Sequence, residues 1–287
     1  MSEPEILRYS AFTESGGGGN PAGLVLDATG LSPERMLAIA ADVGYSETAF
    51  LVARDGEPGA FDVRYFSPLA EVPFCGHATV AAGVALAERD GPGDLLFHTP
   101  AGAVPVATRS GADGTLTATL TSVAAHVEEI PGADLDDALG LLRWSRDSLD
   151  PELPPRIGFA GARHLILATA TRDRLAALDY DFEGLKVFML THDLTTVHLV
   201  WRRDAGTFHA RDPFPVGGVV EDPATGAAAA AFGAYLRDLR LVEPPARVTI
   251  LQGEDRGRPS RLLVDIPAGR REISVTGAAG PIADRGP

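Results

Sequence analysis

A carboxylate at the edge of an apolar strand and a histidine at the start of a small-residue helix are the side chains best placed in this chain to move protons. The carboxylate is Glu47, in Gly44-Tyr45-Ser46-Glu47-Thr48-Ala49-Phe50. At a strand end a glutamate is ordinarily a solvated charge. Turned into an apolar cleft, such a carboxyl holds its proton more readily and serves as general base and acid. The histidine is His77, in Cys75-Gly76-His77-Ala78-Thr79. It is either a structural hydrogen-bonder or, beside a cleft carboxylate, a proton relay. A second helix start follows at Asp222-Pro223-Ala224-Thr225-Gly226. Asp as N-cap and Pro at the first helical position explain that motif structurally. The first amides of a helix also lack intrahelical acceptors, so such a start binds carboxylate or phosphate. Cys75 to Thr79 offers the same device.

Both helix starts sit in segments that read as copies. Phe, Arg and Pro recur 147 residues apart (61 and 208, 64 and 211, 68 and 215). Glu71 follows the first copy and Glu221-Asp222 the second. Gly76, Gly83 and Leu86 recur 150 residues on as Gly226, Gly233 and Leu236. A duplication with polar residues at both helix starts implies one site assembled between two similar halves, suited to two-sided acid/base chemistry on a small anion.

The elements that must position these residues follow from patterning. Strands are expected over 5–12, 22–27, 48–53 and 61–66, the last with period-two alternation. Ser32-Pro33-Glu34 opens a helix that runs to about Asp42, and 77–89 reads as a helix of small residues. Residues 95–99, 104–109 and 115–121 form a meander. The second half repeats the order, with strands at 164–169, 187–190, 196–202, 207–211, 247–251, 261–266 and 272–276 and helices at 171–178 and 225–238. The expected organisation is α+β, with two pseudo-symmetric lobes, 1–121 and 122–287. Each lobe is a mostly antiparallel, barrel-like sheet around a central helix.

Bulk properties narrow the function. The 287 residues are 45% hydrophobic and 22% charged, a globular balance, with mean hydropathy +0.05. The net charge of −14 disfavours nucleic acid and anionic membranes as partners. No apolar run approaches a membrane span, and the acidic start at Met1 lacks a signal-peptide pattern. One cysteine precludes an internal disulfide and points to the cytoplasm. It also precludes two-thiol acid/base chemistry within the chain, so Cys75 is expected to serve packing. Gly16 to Gly19 lacks a dinucleotide fingerprint. His192 and His198 lack metal-ligand spacing, so no metal is expected. No Gly-x-Ser-x-Gly elbow is present.

The motifs resemble those of the PhzF-like (phenazine biosynthesis) family of isomerases and epimerases. The matching stretches are Gly19-Asn20-Pro21-Ala22-Gly23, Ser46-Glu47-Thr48-Ala49-Phe50, Arg64-Tyr65-Phe66-Ser67-Pro68, Glu71 to Thr79, Glu221 to Gly226, and Gln252-Gly253 with Gly257-Arg258-Pro259-Ser260. The resemblance implies a diaminopimelate-epimerase-like fold with the site in a cleft, no cofactor and a homodimer. It implies Glu47 as the proton-shuttling acid/base, with His77 and Asp222 also catalytic. Gly76, Ala78, Thr225, Gly226 and Ala227 are then the substrate-binding positions. The family usually carries Ser where this chain has Ala227, so the family's dihydro-hydroxyanthranilate substrate would lose a hydroxyl contact here. The expected activity is isomerisation of a small unsaturated carboxylate of that type. The alternatives are an amino-acid epimerase or a noncatalytic binding protein.

Overall fold

A computed structural model describes residues 3–14 and 17–282. Met1 and Ser2 of the chain start, Ser15 and Gly16 of the glycine loop, and the last five residues of the expected second lobe lie outside the described residues. The chain divides into two compact units, Met1–Thr121 with Thr276–Pro287, and Ser122–Val275. The second unit ends before Thr276, short of the expected 287, because the last strand pairs within the first unit.

In the first unit the strands are β1 (Leu7–Ala11), β2 (Asn20–Val25), β3 (Thr48–Ala53), β4 (Ala60–Phe66), the short β5 (Glu71–Val72), β6 (Asp94–Thr99), β7 (Gly102–Ser110) and β8 (Leu116–Thr121). The helices are α1 (Pro33–Val43) and α2 (Gly76–Asp90). The second unit contains β9 (His126–Glu128), α3 (Gly132–Leu141), β10 (Arg156–Phe159), β11 (Arg163–Ala168), α4 (Arg172–Ala176), α5 (Phe182–Thr191), β12 (Thr196–Asp204), β13 (Thr207–Phe214), β14 (Val219–Asp222), α6 (Gly226–Asp238), β15 (Ala246–Gln252) and β16 (Ser260–Ile266). The last strand is β17 (Ser274–Pro281).

The first unit closes into an eight-stranded barrel in the order β1-β2-β3-β4-β6-β7-β8-β17 and back to β1. Its pairings are antiparallel except β2–β3 and β4–β6. In the second unit β9 to β16 pair in the order β9-β10-β11-β12-β13-β15-β16, antiparallel except β11–β12 and β13–β15. From β1 and from β10 the ladders run alike: antiparallel, parallel, antiparallel, parallel, antiparallel. Each parallel step needs a crossover, and in both units the second one is the long small-residue helix.

Those helices are buried on every side. α2 buries all residues from His77 to Ala87, and α6 buries Ala228 to Leu236. A helix apolar all round belongs inside a core, and alanine and glycine let the strands approach it. The repeated glycines mark the closest approach. A Cβ on Gly83 would lie 3.0 Å from Val106 Cγ1 and 3.1 Å from Ala118 Cβ, and one on Gly233 would lie 2.8 Å from both Ile273 Cγ2 and Val264 Cγ1. Both neighbours of Gly233 are stiff β-branched side chains. Gly233→Val should therefore lower stability by about 1–3 kcal/mol, the usual cost of overpacking, read as a lower thermal midpoint. An unchanged midpoint would show that the barrel wall yields freely there.

The outer faces are covered separately. Met36, Ile39, Ala40 and Val43 of α1 pack with Val25, Phe50 and Phe66. In the second unit α3 and α5 supply Leu135, Leu139, Leu185, Phe188 and Met189 to a core shared with Leu165, Leu167, Val197 and Leu199. This corrects the reading of 187–190 as a strand. The Asp181 side chain accepts from Gly184 N and caps a helix that buries Leu185, Phe188 and Met189 at helical spacing. The starts of α1 and α4 are capped by side chains: Ser32 accepts from Arg35 N, and Thr171 from Arg174 N. Among the described residues no helix is long and apolar enough to cross a membrane.

Candidate active site

Glu47 immediately precedes β3, and its carbonyl accepts from Gly23 N at 3.1 Å. The backbone there is tied to β2, which fixes where the side chain emerges. Cys75 is the residue before α2, with extended φ and ψ and no side-chain cap bond. His77 is the second residue of α2. These placements bring three groups together. Cys75 Sγ lies 3.5 Å from Glu47 Oε2 and 3.4 Å from His77 Nδ1. His77 Nε2 lies 3.4 Å from Glu47 Oε2, with Ser46 Oγ also at 3.4 Å. The Glu47 side chain keeps 15% exposure and that of His77 only 7%.

Burial holds the His77 imidazole below its ordinary pKa, partly offset by the Glu47 carboxylate and the Pro21 carbonyl. The ring is therefore neutral near pH 7, with one nitrogen donating and the other accepting. A carboxylate beside a neutral imidazole can pass a proton between them, and both sit where the α2 amides begin. Gly76 is half-buried and Ala78 fully buried, so Ala78 has only its amide to offer an anion. Cys75, expected to serve packing alone, also touches both titratable groups.

The second unit repeats the device with different chemistry. β14 pairs with β13, setting Asp222 opposite Asp212, and delivers the chain to α6. Thr225 Oγ1 donates to Asp222 Oδ2 at 2.6 Å. Gln252, fully buried, binds this loop at three points. Its Oε1 accepts from Thr225 N at 3.2 Å, and its Nε2 donates to the Asp222 carbonyl at 2.8 Å and to Thr225 Oγ1 at 3.1 Å. Gly253 follows with φ +76°, and a Cβ there would meet Arg258 O at 2.3 Å and Pro223 O at 2.7 Å, so only glycine fits. Gln252 was visible in the sequence as a motif residue but not as the anchor of the Asp222 loop. Gly226 is buried and Ala227 half-buried at the α6 start, where the Ala227 methyl supplies no hydroxyl.

Each helix start is also preceded by an arginine clamp. Arg64 holds Glu71 through two bonds, 2.7 and 2.6 Å, and Arg211 holds Glu221 at 3.0 and 2.6 Å. The glutamates stand four residues before Cys75 and Thr225. The clamps thus fasten β5 and β14, the strands that lead into the two starts. His192 and His198 are not gathered into either cluster. His198 pairs with Asp212 at 3.0 Å, and His192 lies 3.7 Å from Asp134.

Two repeated α+β units, each with a buried central helix, form the diaminopimelate-epimerase-like fold. Within that fold the chain belongs to the PhzC-PhzF family, described as "Phenazine biosynthesis-like protein", which matches residues 9–285. It is 31% identical over 290 residues to "Uncharacterized isomerase YfhB" of Bacillus subtilis, covering 97% of each chain. It is 30% identical over 269 residues to "Trans-2,3-dihydro-3-hydroxyanthranilate isomerase" of Pseudomonas aeruginosa, covering 91% of each. The crystal structure of a Bacillus anthracis phenazine biosynthesis protein of the PhzF family superposes with TM-score 0.86 at 26% identity, over 98% of both chains. The protein is an isomerase of this family.

Proposed function

We propose that the protein is a cofactor-independent isomerase that moves a proton, and with it a double bond, on a small unsaturated carboxylate. Glu47 removes a proton from carbon next to an unsaturated or carbonyl system. Glu47, or His77 acting as a relay, returns a proton farther along the conjugated path. In the first unit the amides at Gly76 and Ala78 form one carboxylate-binding helix start; in the second, the amides at Gly226 and Ala227 form another, where Asp222 with Thr225 orients an amine or hydroxyl. The observation that carries this reading is the approach of the Glu47 carboxylate to the buried neutral His77 ring. The hydroxyanthranilate isomerase of Pseudomonas aeruginosa supports the substrate class.

Incubation in deuterated water with a panel of small unsaturated amino and hydroxy carboxylates, followed by NMR, tests it. Deuterium entering at one carbon while the double bond migrates is the expected result. Exchange with inversion at a single carbon and no migration would make the protein an epimerase instead.

The α6 start tunes the choice of substrate. The Ala227 methyl cannot donate to a substrate oxygen, and one neutral hydrogen bond is worth about 0.5–1.5 kcal/mol. Turnover of trans-2,3-dihydro-3-hydroxyanthranilate should be slow and should rise about 2–10-fold in Ala227→Ser. Efficient wild-type turnover that the serine leaves unimproved would show that this position does not select the substrate.

A further inference from the structure

We infer that His198 and Asp212, buried in the second unit, form an ion pair that keeps the Asp222 carboxylate charged at the start of α6. Asp212 stands opposite Asp222 in the β13–β14 ladder. Directly opposed residues share one face of a sheet, with Cβ atoms about 4.5–5.5 Å apart, and like charges there repel. Asp212 is 0% and Asp222 9% exposed, so water screens that repulsion weakly. A cation on the same face has to offset one of the two charges. Arg211 and Glu221 alternate to the other face and hold each other. His198 is on the right face, and its Nδ1 lies 3.0 and 3.1 Å from the two oxygens of Asp212.

The hydrogen bonds fix which groups carry the charge. Thr196 Oγ1 donates to Asp212 Oδ1 at 3.2 Å, which uses its one hydrogen. The 2.8 Å contact from His164 Nδ1 is then a donation to Thr196 Oγ1. The donors run from His164 through Thr196 to Asp212, and His198 donates from the other side, so Asp212 is the anion. Burial, with the charge of His198 beside it, pushes the pKa of His164 down to about 3, and that ring stays neutral. His198 Nε2 has no hydrogen-bond partner among the described residues, which leaves Asp212 as the ring's polar anchor. The other titratable groups that face the pair are His164 from β11 and Asp222 from β14. Around them β12 adds Thr196, β15 adds Gln252, and α6 adds the Phe232 ring, 5.5 Å from His198. The first unit uses the same corner. Tyr65 follows Arg64 as Asp212 follows Arg211, and its hydroxyl bonds Thr79 Oγ1 at the start of α2, at 2.7 Å. Three residues before Phe50, opposite Arg64, is Glu47; three before Leu199, opposite Arg211, is Thr196. The buried cluster thus fills the place that Glu47 holds in the other unit.

NMR reads the pair without any substrate. The full-length protein, carrying 15N-labelled histidine and 13C-carboxyl aspartate, is titrated through neutral pH, with Asp222→Asn and His198→Asn assigning the signals. At neutral pH the wild-type His198 ring should carry protons on both nitrogens, and the Asp222 carboxyl should be ionised. In His198→Asn the amide still donates to Asp212 but brings no charge. The opposed carboxylates should then hold one proton between them, and the titration read at Asp222 should move to higher pH by at least about one unit. In Asp212→Asn the His198 ring should be neutral and Asp222 still ionised. The double variant should return Asp222 to its wild-type titration. A neutral His198 ring or a protonated Asp222 in the wild type, a ring that stays doubly protonated in Asp212→Asn, or an unmoved Asp222 titration in folded His198→Asn would overturn the inference. The first three readings stand even where His198→Asn does not fold. The consequence for the reaction rests on Asp222 orienting the substrate, whereas the pairing does not. On the acid side of its profile, deuterium exchange by His198→Asn should fall about tenfold for each unit that the titration moves. Exchange with the wild-type pH dependence, in a protein whose Asp222 titration has moved, would overturn that consequence alone.

Discussion

Glu47→Gln should lower turnover by roughly two or more orders of magnitude, the usual contribution of a general acid–base group, while the protein stays folded. The amide keeps the size of the side chain and can still accept a hydrogen bond, but it cannot exchange a proton near neutral pH. The surroundings of Glu47 tolerate the change. The side chain is partly exposed, and it engages Cys75 and His77 only at 3.5 and 3.4 Å, so no strong bond is lost. The backbone contact from Gly23 N to the Glu47 carbonyl is unaffected by the side chain. The loss should fall on kcat, with KM changed little, because the group acts on the migrating proton more than on the bound carboxylate. Deuterium exchange at the reacting carbon should fall in parallel. Near-normal exchange by a folded Glu47→Gln protein would remove Glu47 from the chemistry and leave His77 as the principal base.

The duplication was legible because its markers are residues with little freedom. Gly83 and Gly233 recur at equivalent helix positions since a Cβ in either place would strike the barrel wall. The two Ala-rich helices could be read because only small residues fit inside such a sheet. The run 187–190 misled because Val187, Phe188, Met189 and Leu190 are apolar without a break, and a short apolar run has no period of its own. The cap at Asp181 settles it as a helix. α3 gave little signal: its N-cap is Pro131, with no side-chain cap bond. At the candidate site Glu47, His77 and Asp222 stood out by motif, but their partners did not. The approach of Cys75 to Glu47 depends on where β3 and α2 lie in the barrel, which no linear spacing encodes. Gln252 reaches Thr225 from 27 residues away, across the β13–β15 crossover. The arginine clamps were hidden for a simpler reason. Arg64 and Glu71 are separated by seven residues, Arg211 and Glu221 by ten, because the second copy inserts residues between Pro215 and Gly226.

Arg211→Met should destabilise the second unit by about 3–5 kcal/mol, the cost of leaving one member of a buried ion pair without its partner. The matching change Arg64→Met should cost about 0–1 kcal/mol, as at the surface. The two clamps are copies with the same two-pronged geometry, and what separates them is water. The Arg64 and Glu71 side chains are each 34% exposed, whereas Arg211 is 9% and Glu221 0% exposed. Removing Arg64 leaves Glu71 to the solvent. Removing Arg211 leaves a buried carboxylate and also strips the Ala176 carbonyl of its 2.7 Å bond from Arg211 Nη1. Replacing both partners should recover much of the loss, since a buried pair exchanged for apolar side chains of similar volume is often neutral or better. The double variant Arg211→Met with Glu221→Leu should therefore be more stable than Arg211→Met alone. Its activity should not recover with its stability. Glu221 stands next to Asp222 and four residues before Thr225, so the clamp positions the loop that the α6 start extends. Denaturant unfolding of the three proteins, set beside their exchange rates, decides both points. Equal losses from Arg64→Met and Arg211→Met would show that burial does not distinguish the clamps. A double variant with full activity would show that the clamp fastens the strand without setting the position of Asp222.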